Sequence, residues 1–179
     1  MIYKTHIAFA LAPALYIEGS NDNMTFAVEL LFYLSVAIGS LAPDLDEERS
    51  KISKILPIFP WIYKIFGIGH RGFTHQLLFV MILSGFFWYI LKYQNIDYLV
   101  GISIFGFILG YFMHLVGDML TKAGINNFLY PFFGIRGVLL PRMFRFYTSS
   151  KEEKIIFYLL IFFIIYQISI RISPYLNQI

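Results

Sequence analysis

The sequence predicts an all-α membrane protein, a polytopic helix bundle of about five spans with interfacial segments on the cytoplasmic side. Three observations predict it. Hydrophobic residues make up 58% of the chain and charged residues only 14%, against about 25% charged in a soluble domain. Apolar runs recur at close to the length a bilayer demands. Basic residues crowd onto alternate connections between those runs. The 179 residues suffice for one domain, 1–179. The chain has no cysteine, which excludes disulfides and thiolate metal sites and leaves His, Asp and Glu as ligand types.

A spanning helix needs roughly 20 mostly apolar residues. Met24–Ala42, Gln76–Tyr93, Tyr98–Val116 and Ile155–Ile172 come close. A fifth run, Ile7–Ile17, reaches spanning length only if it begins near Ile2. With Lys4 ahead of it, this run also has the outline of a signal peptide. Cleavage would discard His6, and no clear small-x-small site precedes Gly19, so the run is read as the first span.

The connections fix an orientation. Glu18–Asn23 and Gln94–Asp97 hold no Lys or Arg. The stretch Asp44–His75 holds Arg49, Lys51, Lys54, Lys64 and Arg71, and Lys122–Lys154 holds Lys122, Arg136, Arg142, Arg145, Lys151 and Lys154. Basic-rich loops stay in the cytoplasm. The expected topology therefore has the N-terminus inside, five spans and the C-terminus outside, in the cell membrane. Ile55–Ile68 and Asn126–Tyr147 mix aromatic with basic side chains, which suits the headgroup region. Ser150-Lys151-Glu152-Glu153 reads as a capping box opening the last span.

The polar residues now acquire a pattern. The four histidines each keep acidic or histidine company. His6 opens the first span. Asp44 and Asp46, in Pro43-Asp44-Leu45-Asp46, follow the second. His70 and His75, in His70-Arg71-Gly72-Phe73-Thr74-His75, precede the third. His114 and Asp118 close the fourth. The topology brings all seven to the cytoplasmic face. A single histidine at a helix end is ordinarily structural; seven converging groups point to a metal site, because ionisable groups in a membrane protein are costly without a partner.

Local spacing supports this. His114 and Asp118, four apart, share a helix face. Gly106 and Gly110 form a G-x-x-x-G pair that lets a neighbouring helix approach closely. Asp44 and Asp46 sit after Pro43, which favours an extended or turn entry; in an extended segment the two carboxylates would point the same way. Thr74 is placed to cap the third span. Arg71 suits a phosphate contact. The basic residues spread along an interface with no reading motif, so no nucleic-acid partner is expected.

The order of these motifs resembles the YdjM-like family of inner-membrane-associated proteins, described as metal-dependent hydrolases. The likeness runs from Thr5-His6 through Pro43-Asp44-Leu45-Asp46 and the central His70-Arg71-Gly72-Phe73-Thr74-His75 string. It continues through His114, Gly117-Asp118-Met119-Leu120-Thr121, Ala123-Gly124-Ile125 and Tyr130-Pro131. The chain departs from the family's common pattern at Glu47, Gln76 and Lys122, where the family often has His, Ser and Pro. None of these removes a shared ligand; Glu47 is left as an open extra one. Motif order is also similar, more weakly, to zinc-dependent phospholipase C.

These resemblances imply a hydrolase using a divalent metal, with zinc the first choice, two ions allowed by the ligand number, and manganese or iron open. By the phospholipase analogy, His114, a central-motif histidine and an aspartate of Pro43-Asp44-Leu45-Asp46 hold one ion. Asp118 then bridges to a second ion held with His6, and Arg71 binds the phosphoryl group. The expected partners are membrane lipid and a small amphiphilic phosphoester. Two other readings stand beside this one: a non-catalytic scaffold or regulator stapled by structural metal, and a transporter, which would want its ionisable groups near mid-bilayer rather than at span ends.

Overall fold

The computed structural model describes residues 1–18, 24–48, 50–58, 61 and 72–176. The helices are α1 (Tyr3–Glu18), α2 (Phe26–Gly39), α3 (Lys51–Ile55), α4 (Leu77–Tyr93), α5 (Tyr98–Met119) and α6 (Lys151–Leu176). Among the described residues three short 3-10 turns stand between them, at Ala42–Asp46, Phe73–His75 and Arg142–Phe144. Among the described residues there is no strand, only isolated bridges joining Thr121 to Phe146 and Ile125 to Gly137. All five apolar runs are helical. Among the described residues two helices are long and apolar enough to cross a membrane, Tyr98–Met119 and Lys151–Ser173; Phe26–Gly39 and Leu77–Tyr93 are apolar but shorter.

Helix α5 lies at the centre, packed mainly on α2 and also on α1, while α6 packs on α1. Small residues set these distances. A Cβ on Gly110 would collide with the Val36 carbonyl and come within 2.8 Å of the Ser40 nitrogen; one on Gly106 would come within 2.7 Å of the Phe32 carbonyl. From α2, a Cβ on Gly39 would strike the Phe107 backbone. The backbones of α2 and α5 therefore touch where side chains would normally keep helices apart. Ala10 and Ala14, one turn apart on α1, complete this seam with Phe32 and Val36. A second apolar cluster, Val80, Tyr111, Leu115, Met119 and Ile125, joins α4 to the lower part of α5.

Polar ties close the ends. Arg171 of α6 donates to the Tyr33 hydroxyl at 2.8 Å and to the Leu15 carbonyl at 2.7 Å. At the opposite end, buried Glu153 accepts from the Ile2 nitrogen at 2.7 Å and the Ser149 nitrogen at 2.6 Å. Ser150 accepts from the Glu153 nitrogen at 3.3 Å. Half of the expected capping box forms: Ser150 accepts from Glu153, but the Glu153 carboxylate goes to the Ser149 and Ile2 nitrogens rather than to the Ser150 nitrogen, which bonds the Tyr147 carbonyl. After α5 the chain turns through Thr121, whose hydroxyl donates to the Asp118 carbonyl at 2.7 Å. The loop beyond is ordered by backbone pairs such as Lys122 with Phe146 at 2.8 Å. It leaves Phe132, Phe133, Met143, Phe144 and Tyr147 exposed.

A candidate metal centre

The lower end of α5 carries His114 and Asp118 one turn apart, both almost wholly buried. Around them the fold gathers His6 from α1, Asp44 and Asp46 from the 3-10 turn after α2, and His75 from the 3-10 turn before α4. His6 stacks flat on His114, ring centroids 3.8 Å apart and planes 8° apart. Gly117 lies beside this pair: a Cβ there would touch His6 Nδ1 at 3.4 Å and collide with the end of the Met1 side chain. The His75 ring meets His114 edge-on, with centroids 5.3 Å apart.

Asp118 uses its two oxygens differently. Oδ1 faces α1, 3.4 Å from His6 Nε2 and 2.8 Å from the Met1 amino group. Oδ2 faces the other histidines, 3.8 Å from both His75 Nε2 and His114 Nε2. His114 Nε2 also lies 3.6 Å from Asp44 Oδ1. Among the described residues the donor atoms fall into two groups, His6 with His114 and Asp118, and Asp44 with His75 and His114; within each, the atoms lie within 4.8 Å of one another. His114 belongs to both, and Asp118 lies against both.

Hydrogen bonds to the far side of two rings decide which nitrogen faces inward. His114 Nδ1 lies 2.7 Å from the Ser40 carbonyl. A carbonyl only accepts, so Nδ1 carries the hydrogen and Nε2 presents its lone pair. The Thr74 hydroxyl donates to Asp46 Oδ2 at 2.7 Å and lies 3.0 Å from His75 Nδ1. Tyr111 of α5 anchors this turn by donating to the Thr74 carbonyl at 2.5 Å. Imidazoles whose outer nitrogen is tied to a carbonyl or hydroxyl are the usual form of histidine ligands. His114 Nε2 and the facing oxygens of Asp44 and Asp118 are acceptors directed at one another, while the Met1 amino group occupies the α1 side of Asp118. Imidazole and carboxylate donors gathered in this way fit a metal ion.

A profile of inner membrane protein YdjM matches residues 1–176. The chain belongs to the YdjM family. It is 32% identical over 129 residues to inner membrane protein YdjM of Escherichia coli (strain K12), covering 70% of this chain and 63% of that protein. The relative of the same name from Shigella flexneri aligns identically. The chain thus spans just under two thirds of those two relatives. With protein YvsG of Bacillus subtilis (strain 168) it shares 32% identity over 159 residues, 87% of each chain. No solved structure matches, and the motif-order likeness to phospholipase C gains no support from these comparisons.

In this YdjM-family chain the structure brings together His6, Asp44, Asp46, His75, His114 and Asp118. His70 and Arg71 lie outside the described residues. Glu47 belongs to neither donor group. Two expectations change. Of the extended or turn entry expected around Pro43 the turn forms, a 3-10 turn, and with about three residues per turn it sends residues two apart in different directions rather than the same one. Asp44 therefore faces His114 while Asp46 faces Thr74 and His75. Thr74 does not cap α4; its hydroxyl goes to Asp46, and Gln76 at the cap position makes no side-chain cap bond. Sequence reading missed Ser40 and Tyr111. Ser40 acts through its carbonyl, which no residue type announces. Tyr111 sits one turn before His114, and its buried hydroxyl was the available signal.

Proposed function

We propose that this YdjM-family protein is a membrane-bound, metal-dependent hydrolase acting on a phosphoester of an amphiphilic or lipid substrate at the cytoplasmic face. The observation that carries the reading is the inward-facing lone pair of His114 Nε2, 3.6 Å from one carboxylate oxygen and 3.8 Å from another. Buried acceptors pointed at one another repel unless a cation lies among them.

Asp44, His75 and His114 would hold one ion, and His6 with the other oxygen of Asp118 would hold a second or remain a flank of the first. A divalent ion supplies Lewis acidity toward a phosphoryl oxygen and a water nucleophile at neutral pH. The chain's own residues set its surroundings. Ser40 and Thr74 hold two imidazoles in one tautomer. Asp118 balances charge on both sides. Asp44, whose side chain is 19% exposed while the histidines are sealed, marks the side from which substrate and water arrive. Arg71 binds the phosphoryl oxygens in this proposal.

The same reading places the protein as one unit in the cytoplasmic membrane, with five spans and the N-terminus inside. The ordered loop between α5 and α6, irregular apart from the 3-10 turn at Arg142–Phe144, supports a depth for the centre. Irregular backbone is not tolerated against hydrocarbon, so this loop belongs in the headgroup layer, where its exposed aromatics and Arg142 suit the interface. It continues directly from the helix that carries Asp118, which favours a lipid phosphoester.

One observation favours the scaffold alternative: His6, His75 and His114 are each 1% exposed or less, as in closed structural sites. The deciding experiment is release of phosphate or headgroup from mixed lipid micelles by metal-stripped and reconstituted protein. Turnover that returns with metal supports the hydrolase. No turnover across phospholipids, polyprenyl phosphates and simple phosphodiesters, with a metal saturated by protein ligands, leaves the scaffold.

A further inference from the structure

Sequence spacing put Asp46 among the metal ligands; the geometry points to another task. We infer that Asp46 is a positioning residue, which holds His75 in a single tautomer through the hydroxyl of Thr74. The inference deepens the metal-centre reading and rests on it only for the affinity part of its test.

The number of hydrogens at Thr74 and His75 decides the direction of each bond. Thr74 has one hydroxyl hydrogen. Its oxygen lies 2.7 Å from Asp46 Oδ2 and 3.0 Å from His75 Nδ1. An ionised carboxylate accepts only, so the hydrogen goes to Asp46. The Thr74 oxygen is then left to accept, and His75 Nδ1 must carry a hydrogen and donate it. The relay runs from His75 Nδ1–H to the Thr74 oxygen and from the Thr74 hydrogen to Asp46. His75 Nε2 therefore holds the lone pair, on the side of Asp118 Oδ2, 3.8 Å away. The direct separation of Asp46 Oδ2 from His75 Nδ1 is 3.4 Å, longer than either step through the hydroxyl.

The surroundings hold this arrangement. The Asp46 side chain is fully buried and Thr74 is 2% exposed, so water does not replace the hydroxyl. Tyr111 pins the Thr74 carbonyl at 2.5 Å, which ties the turn to the helix that carries His114 and Asp118. The 3-10 turn assigns the two aspartates separate roles. Asp44 contributes the oxygen that faces His114 Nε2 and belongs to a donor group with His75 and His114. Asp46 faces the outer nitrogen of His75, the position from which a carboxylate orients a ligand.

The test begins with nitrogen-15 NMR of histidine-labelled, metal-stripped full-length protein in lipid nanodiscs, His75 being assigned by its loss in His75→Gln. The expected result is the Nδ1–H tautomer for His75 in the wild type, retained in Thr74→Ser and lost in Thr74→Val. Zinc titration follows. Thr74→Val and Asp46→Asn should each weaken zinc binding by about 10–100-fold without changing the number of ions bound. The double variant should be no weaker than the worse single variant, because both break one relay.

A wild-type His75 carrying its hydrogen on Nε2 overturns the inference. So does a zinc affinity that Thr74→Val leaves intact while Asp46→Asn removes an ion, which would make Asp46 a ligand. If the wild type takes up no metal at all, the metal-centre reading fails, and the tautomer of His75 and its response to Thr74→Val still decide the relay.

Discussion

His114 Nδ1 sits 2.7 Å from the carbonyl oxygen of Ser40, the residue that caps the C-terminal end of α2. This one hydrogen bond joins the packing of the bundle to the chemistry of the centre. Ser40 reaches His114 only because α2 and α5 touch backbone to backbone at Gly39, Gly106 and Gly110. The imidazole is thereby turned with Nε2 toward Asp44 and Asp118.

Gly110→Ala should therefore disturb the centre without touching a ligand. Its Cβ would meet the Val36 carbonyl and the Ser40 nitrogen, backbone atoms that move only if α2 moves. Overpacking of this kind costs about 1–3 kcal/mol. The melting temperature and the zinc affinity should both fall. Gly85→Ala on α4, where a Cβ meets nothing within 4 Å, is the control and should leave both unchanged or slightly raise stability. Thermal melts and zinc titrations of the two variants make the comparison.

Metal content is the most direct measurement. Elemental analysis of the purified protein should show at least one transition-metal ion per chain. His114→Ala and Asp118→Ala should lower it, since both residues touch both donor groups. Zinc at 100 times its dissociation constant should stabilise the wild type by about 2.7 kcal/mol, and the two variants by much less. A wild-type melting temperature indifferent to zinc would count against the centre.

Acid should act through the same ligands. Imidazole ligates only when neutral, so protons compete with the ion. Zinc-dependent stabilisation should be present at neutral pH and disappear as the pH falls. The metal-stripped protein should lack that component of the pH profile. Melting curves with and without a chelator across the pH range test this.

Arg71→Ala separates binding from turnover. Loss of a donor to transition-state charge typically costs about 10²–10³-fold in rate. The variant should keep its metal and lose most hydrolysis of a phosphoester lipid, whereas His75→Ala should lose both. If Arg71→Ala hydrolyses normally, the phosphate contact belongs to another residue while the metal proposal stands.

Orientation is tested by accessibility. Tags in Glu18–Asn23 or Gln94–Asp97 should react with a membrane-impermeant reagent from outside the cell, and a tag near Ser149 should not. The reverse pattern would place the centre on the outer face.

What the sequence by itself determined was the local part. Helices follow from apolar runs, and α1, α2, α4, α5 and α6 fall where those runs lie. His114 and Asp118 share a face because helical periodicity is a property of neighbouring residues. Only the tertiary structure decided which atom faces which. The 3-10 turn after Pro43 parts Asp44 from Asp46, and two glycines of α5 bring a serine carbonyl to His114. Asp118 presents one oxygen to α1 and the other to His75 and His114. The physical reason is that hydrogen-bond partnership depends on positions good to a few tenths of an ångström, set by how helices pack. A backbone carbonyl, moreover, is the same group whatever residue bears it.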